Sequence, residues 1–195
     1  KIKGFNVHYF IPPKAWAWNR KRAKSLSKYV DKIYSILPFE VDFFRKYNCN
    51  ISYVGNPLMN QINLNLKKTN NVIKKISLLP GSRESELKYS LPVFKRIVSE
   101  LKDFDFLVCG VSNLKKELYS DINEFKNVTL FFDKTYDVVS SSDVSIVMSG
   151  TASLEVSLLN IPQIVVYRAS WISYLIAKLI VKIKFISLVN LILEK

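Results

Sequence analysis

Lys75-Ile76-Ser77-Leu78-Leu79 runs directly into Pro80-Gly81-Ser82-Arg83 and then into Glu84-Ser85-Glu86-Leu87. A short apolar run, a breaker-rich turn and the opening of an amphipathic stretch follow one another without a gap, which reads as strand, loop and helix. Outward in both directions the alternation repeats. Strands are predicted at 5–11, 32–37, 51–54, 75–79, 104–109, 128–132, 144–148 and 163–167, with helices at 20–29, 39–47, 84–101, 113–125, 136–140 and 152–159. Short β-branched runs separated by longer amphipathic stretches mark an α/β protein with mainly parallel sheets.

The rhythm breaks once, between Gly55 and Asn71, where Gly55, Pro57 and a cluster of Asn and Lys suit a linker. Residues 1–56 are therefore expected to form part of one Rossmann-like lobe, 57–72 a linker and 73–195 a second, incomplete lobe. The chain has no initiating Met and stops straight after an apolar run, so it is read as a piece of a longer protein.

The 195 residues carry 29 Lys and Arg against 16 Asp and Glu, a formal charge of +13, and 49% of them are hydrophobic. That composition supports a buried core and an affinity for anionic partners: phospholipid surfaces, phosphorylated metabolites or nucleic acid. Cys49 and Cys109, the only cysteines, lack the spacing of a disulfide framework and are expected as small core residues in a reducing compartment. His8 is the single histidine, which removes a histidine triad or a two-histidine metal site and leaves chemistry to carboxylates, arginine and backbone donors.

Two glycine loops, Pro80-Gly81-Ser82-Arg83 and Ser149-Gly150-Thr151, each follow a predicted strand and open a predicted helix. In a doubly wound sheet that is where phosphates bind, because free N–H groups and the positive end of the helix meet the ligand there. Gly81 and Gly150 would let backbone approach a pyrophosphate, and Arg83 would add charge-assisted bonds. Neither loop matches the P-loop or the dinucleotide fingerprint. The plainer alternative is a strand-to-helix connection with Ser82 or Thr151 as helix N-cap. Glu155, about one turn beyond Thr151, is placed to reach a ribose or simply to favour the helix dipole, and Glu84 and Glu86 carry the same two readings.

These residues resemble lipid-A-disaccharide synthases, inverting glycosyltransferases with the two-lobed GT-B fold, and the resemblance runs along nearly the whole chain. It is carried by His8-Tyr9, Pro12 and Ala15-Trp16-Ala17-Trp18 with a basic tail; by Leu37-Pro38-Phe39-Glu40 and Val54-Gly55-Asn56-Pro57; by Leu78-Leu79-Pro80-Gly81-Ser82-Arg83 with Glu86; and by Ser149-Gly150-Thr151-Ala152 with Leu154-Glu155, then Ser187-Leu188 with Asn190-Leu191. The resemblance implies a UDP-2,3-diacylglucosamine donor, a 2,3-diacylglucosamine 1-phosphate acceptor and no metal or other cofactor, the sugar nucleotide being a substrate. It assigns Arg83 and Asn190 to the reaction centre and Gly81, Ser82, Ser149, Gly150, Thr151 and Glu155 to UDP. Val189 stands where the family usually has Pro before the matched Asn190. The family's catalytic carboxylate corresponds to a position preceding Lys1, so no general base is assigned.

Trp171 to Leu193 is the most apolar stretch, but Lys178, Lys182 and Lys184 interrupt it, which fits a helix lying in a membrane interface around Trp171 or a helix buried in the lobe better than a membrane span. A basic run, Arg20, Lys21, Arg22, Lys24, Lys28 and Lys32, beside Trp16 and Trp18 suits lipid headgroups or a solvated face. The expected setting is peripheral on the cytoplasmic face of an inner membrane. Rival readings are a related UDP-sugar enzyme, such as an epimerase or peptidoglycan glycosyltransferase, or a basic protein that binds membrane or nucleic acid without catalysis. No zinc spacing, RNP-like stretch or recognition helix supports nucleic acid.

Overall fold

The computed structural model describes residues 4–60, 74–148, 150–168 and 188–193. Of these, 4–60 and 190–193 group in one compact unit, and 74–148, 150–168 and 188–189 in another.

The first unit runs β1 (His8–Phe10), α1 (Ala15–Trp18), α2 (Lys21–Tyr29), β2 (Lys32–Ser35), α3 (Phe39–Arg45), β3 (Ile51–Tyr53) and a 3₁₀ turn at Pro57–Asn60. Its three strands are parallel in the order β1-β2-β3, with Tyr9 beside Ile33 and Ile33 beside Ile51. β1 is shorter than the predicted 5–11 because Asp31 takes over the chain just before it: the Asp31 carboxylate accepts the Val7 N–H at 2.9 Å, and the Asp31 N–H bonds to the Val7 carbonyl. The core gathers Ala15, Ala23, Ile33, Phe44, Cys49 and Ile51. α2 buries Ala23 and leaves Lys21, Arg22, Lys24 and Lys28 exposed, as one apolar stripe on a basic helix requires.

The second unit runs β4 (Lys75–Leu79), α4 (Glu84–Glu100), β5 (Asp105–Gly110), a 3₁₀ turn (Lys116–Tyr119), α5 (Ser120–Asn123), β6 (Val128–Phe132), α6 (Thr135–Ser140), β7 (Val144–Met148), α7 (Ala152–Leu158) and β8 (Gln163–Val166). All five strands are parallel, in the order β6-β5-β4-β7-β8. β4 lies in the centre and is buried from Ile76 to Leu79, which is why it reads as a continuous apolar run rather than an alternation. α4 covers the sheet with Leu87, Leu91, Phe94 and Val98, spaced four, three and four apart along one helix face.

The helix predicted at 113–125 is replaced by two shorter pieces. Lys115 is extended, the 3₁₀ turn follows it, and α5 starts only at Ser120. Fully buried Tyr119 and Ile122 are three apart, so both reach the core without a regular helix before them. Among the described residues no helix is long and apolar enough to cross a membrane.

The strand order creates a switch point. From β4 the chain crosses to β5 and then β6 on one side, while from β7 it crosses to β8 on the other. The connections leaving the carboxyl ends of adjacent strands β4 and β7 therefore diverge and open a crevice between them, the usual ligand position in such sheets. Those connections are the two glycine loops.

Candidate functional site

The first loop leaves β4 at Leu79. Gly81 has φ +117°, and a Cβ there would lie 2.5 Å from Glu86 Oε2, so both conformation and space demand glycine. The helix N-cap is Arg83, in extended conformation, rather than Ser82. Arginine has only donors and cannot cap through its side chain. Capping comes from Glu86, whose Oε2 accepts the N–H groups of Ser82 at 2.8 Å and Arg83 at 3.3 Å. This gives Glu86 a local role beyond a favourable charge at the helix start. On the inner side, buried Ser90 donates to the Pro80 carbonyl at 2.7 Å. The Arg83 side chain remains 77% exposed and, among the described residues, pairs with the Glu86 carboxylate at 3.4 Å.

The second loop leaves β7 at Met148. Ser149 lies outside the described residues. Gly150 is exposed, has no positive φ, and a Cβ on it would meet nothing closer than the Met148 carbonyl at 3.9 Å. Among the described residues nothing demands glycine there. Thr151 takes the N-cap position of α7, but its hydroxyl makes no cap bond and is exposed, while Ser153 donates to the Gly150 carbonyl at 2.8 Å.

Glu155 sits within α7, half-buried, and loss of hydration raises its carboxyl above the ordinary glutamate range. Burial and then the Glu155 charge raise the Tyr136 hydroxyl on α6, which brings Tyr136 into the electrostatic surroundings of Glu155. Sequence reading gave Tyr136 no role beyond the start of a helix. Arg83, Gly150, Thr151 and Glu155 thus belong to one unit and to loops or a helix adjoining the same crevice. Among the described residues they offer an exposed guanidinium, a backbone that nothing crowds at Gly150, a hydroxyl and a half-buried carboxylate. Asn190, on the last described helix, is exposed and groups with the first unit. Trp171, Lys178, Lys182 and Lys184 lie outside the described residues. Among the described residues no group of three His, Cys, Asp or Glu side chains is arranged to hold a metal.

The first unit contains a buried carboxyl that sequence reading treated only as part of a motif. Glu40 on α3 accepts the Trp16 indole N–H at 2.9 Å and meets the Ser35 hydroxyl. Ser35 also donates to the Leu37 carbonyl at 2.8 Å and accepts the Leu37 N–H. One hydroxyl proton cannot serve both acceptors, and a protonated Glu40 would supply the second. Burial does push this carboxyl upward, against the lowering effect of its hydrogen bonds. His8 Nδ1 lies 3.0 Å from the Tyr34 hydroxyl. Cys49 and Cys109 are free and buried, and burial pushes the Cys109 thiol up to about 12.

Comparison with known proteins places this arrangement in a family. The model described as lipid-A-disaccharide synthetase matches residues 1–195. Lipid-A-disaccharide synthase of Syntrophus aciditrophicus is 34% identical, with 100% of this chain aligned to 55% of that protein. The Aquifex aeolicus enzyme is 37% identical over 97% of this chain and 54% of its own length, and the Campylobacter jejuni (strain RM1221) enzyme 37% over 94% and 50%. This chain spans about half the length of these curated relatives. Among solved structures, the glycotransferase of kitacinnamycin aligns with a TM-score of 0.47 at 13% identity, covering 78% of this chain and 44% of that one. With the family model spanning every residue and relatives above 30% identity, the chain belongs to the lipid-A-disaccharide synthetase family.

Proposed function

We propose that the protein serves as a glycosyltransferase that joins a UDP-linked 2,3-diacylglucosamine to 2,3-diacylglucosamine 1-phosphate, forms the lipid A disaccharide and releases UDP. The observation that carries this reading is the pair of loops at the switch point: Pro80–Arg83 and Gly150–Thr151 leave adjacent parallel strands in opposite directions, within a chain of this family. Gly150 supports it further, since among the described residues nothing crowds a Cβ there, and a ligand approaching the backbone would give the position a reason to lack one.

Departure of UDP places negative charge on the β-phosphate, and a fixed donor already aimed there stabilises it as it forms. Arg83 supplies that donor. The backbone at Gly150 and the Thr151 hydroxyl hold the diphosphate, joined by Ser82 and Ser149 of the same loops. Glu155 accepts from a ribose hydroxyl, which satisfies its partly buried carboxylate, and Asn190 contributes a polar group to the sugar side. The exposed cations of α2, together with Trp171, Lys178, Lys182 and Lys184, seat the protein on the anionic cytoplasmic face of the inner membrane, where both acylated sugars reside.

Calorimetry of the full chain with UDP tests this at once. Wild type should bind UDP. Gly150→Ala should melt at the wild-type temperature yet bind about tenfold or more weakly, as loss of some 1.4 kcal/mol would give. A single-stranded oligonucleotide at physiological salt should give no comparable heat, since non-specific binding fades steeply there. Absence of UDP binding by the folded wild type would sink the reading.

A further inference from the structure

We propose that Glu86 is the positioning residue of the Pro80–Arg83 loop: it keeps the Ser82 and Arg83 amides, just before α4, for itself and leaves the Arg83 guanidinium as the loop's charged contact with the diphosphate. The inference rests on the UDP reading above and changes how the loop acts within it. In phosphate loops of the amide-cradle kind, successive N–H groups are open to the ligand. Here Glu86 Oε2 already takes those of Ser82 and Arg83, at 2.8 and 3.3 Å. A phosphate arriving at those amides would meet an occupied position and a side chain of its own charge.

The loop is shaped around that occupant. Gly81, at φ +117°, leaves open the space into which Glu86 reaches, and Ser90 grips the Pro80 carbonyl from the buried side. What points outward is the guanidinium, with one of its N–H groups on Glu86 Oε1 at 3.4 Å and the side chain 77% exposed. Of five donors in a rigid fork, the rest face solvent and suit an oxyanion. A single carboxylate therefore braces both the backbone on which Arg83 is mounted and the direction of its head. Glu86 touches no ligand in this scheme and acts through Arg83.

Non-additivity is the signature of that relation, because a residue acting only through another has nothing left to contribute once that other is gone. Calorimetry with UDP on the full chain should show Arg83→Ala and Glu86→Ala each weakening binding about tenfold. The double variant should be no weaker than Arg83→Ala alone. Glu86→Gln, whose one oxygen still accepts from both amides but whose NH2 cannot accept from Arg83, should recover to within about threefold of wild type, a difference of some 0.6 kcal/mol, the remainder being the lost brace on the guanidinium. Glu86→Asp, which keeps the charge but falls short of the Ser82 amide, should behave as Ala does and decides the matter if Glu86→Ala does not fold. Additive losses in the double variant, unchanged binding in Glu86→Ala and Glu86→Asp, or no recovery in Glu86→Gln would overturn the positioning role while loss in Arg83→Ala kept the UDP reading. Tighter binding in Glu86→Ala would show that the freed amides hold the diphosphate, which also overturns it. If wild type binds no UDP, the functional reading falls and takes this inference with it.

Discussion

Gly81 is held where alanine cannot follow without moving Glu86. Its φ of +117° is strained for any L side chain, and the new Cβ would press on the carboxylate that caps α4. Gly81→Ala should therefore lose on the order of 1–3 kcal/mol of stability, the usual cost of a residue in such a backbone region. Chemical denaturation beside Gly150→Ala checks this: a loss at Gly81 with none at Gly150 is expected, and equal losses would show that Gly150 also serves the fold. Glycine and its turn were legible from the sequence, because breakers between a strand and a helix have few other uses. The partner was not. Glu86 had equal claim to a ribose or to the helix dipole, and only the path of the backbone turns its carboxylate onto Ser82 and Arg83.

Glu40 escaped the sequence for a different reason: carboxylates are almost never fully buried unless partnered, and its two side-chain partners, Trp16 on α1 and Ser35 on β2, lie on elements other than its own. Its folded-state pKa is raised above the unfolded value, so the unfolded chain gives up this proton first as pH increases. Stability from this group is then present below the ordinary glutamate range and is lost as pH rises through the folded-state value. Glu40→Gln reproduces the protonated form, since its amide donates to Ser35 while its oxygen accepts from Trp16. Melting curves of wild type and variant between pH 4 and 8 should diverge in one direction, with the wild type losing ground as pH climbs. Parallel curves would show that Glu40 stays charged at no cost.

At the scale of elements, the strands and most helices follow from composition, and the exceptions are short. α1 spans four residues, too few for any periodicity to show, and the stretch near Lys116 spaces its apolar residues in a way that helix and 3₁₀ turn share. α2 was readable in full because a nine-residue basic helix with one buried alanine has a single apolar stripe. Its exposed Lys21, Arg22, Lys24 and Lys28 also make a prediction. The chain should sediment with vesicles containing phosphatidylglycerol, less so at high salt, since each cation near an anionic surface contributes about 1 kcal/mol and is screened as ionic strength rises. Replacing those four by Glu should leave melting unchanged and most of the protein in the supernatant. A variant that sediments like wild type would move the docking away from α2.

At the scale of the whole molecule, the order β6-β5-β4-β7-β8 was not written in any local pattern, because alternating strands and helices are compatible with several windings of a parallel sheet. The site inherits that difficulty. Two glycine loops about seventy residues apart look alike in sequence, and they share a crevice only because β7 lies beside β4. The same adjacency has a consequence in time. β4 can pair with β5 after about thirty residues of chain, Ile76 meeting Phe106, but its other edge waits for Val144. Contacts so distant along the chain form late and slowly, and an unpaired central strand is open to wrong partners meanwhile. The loop that carries Arg83 is therefore synthesised long before its neighbour, and during translation the ribosome must deliver nearly seventy further residues before the crevice has two sides.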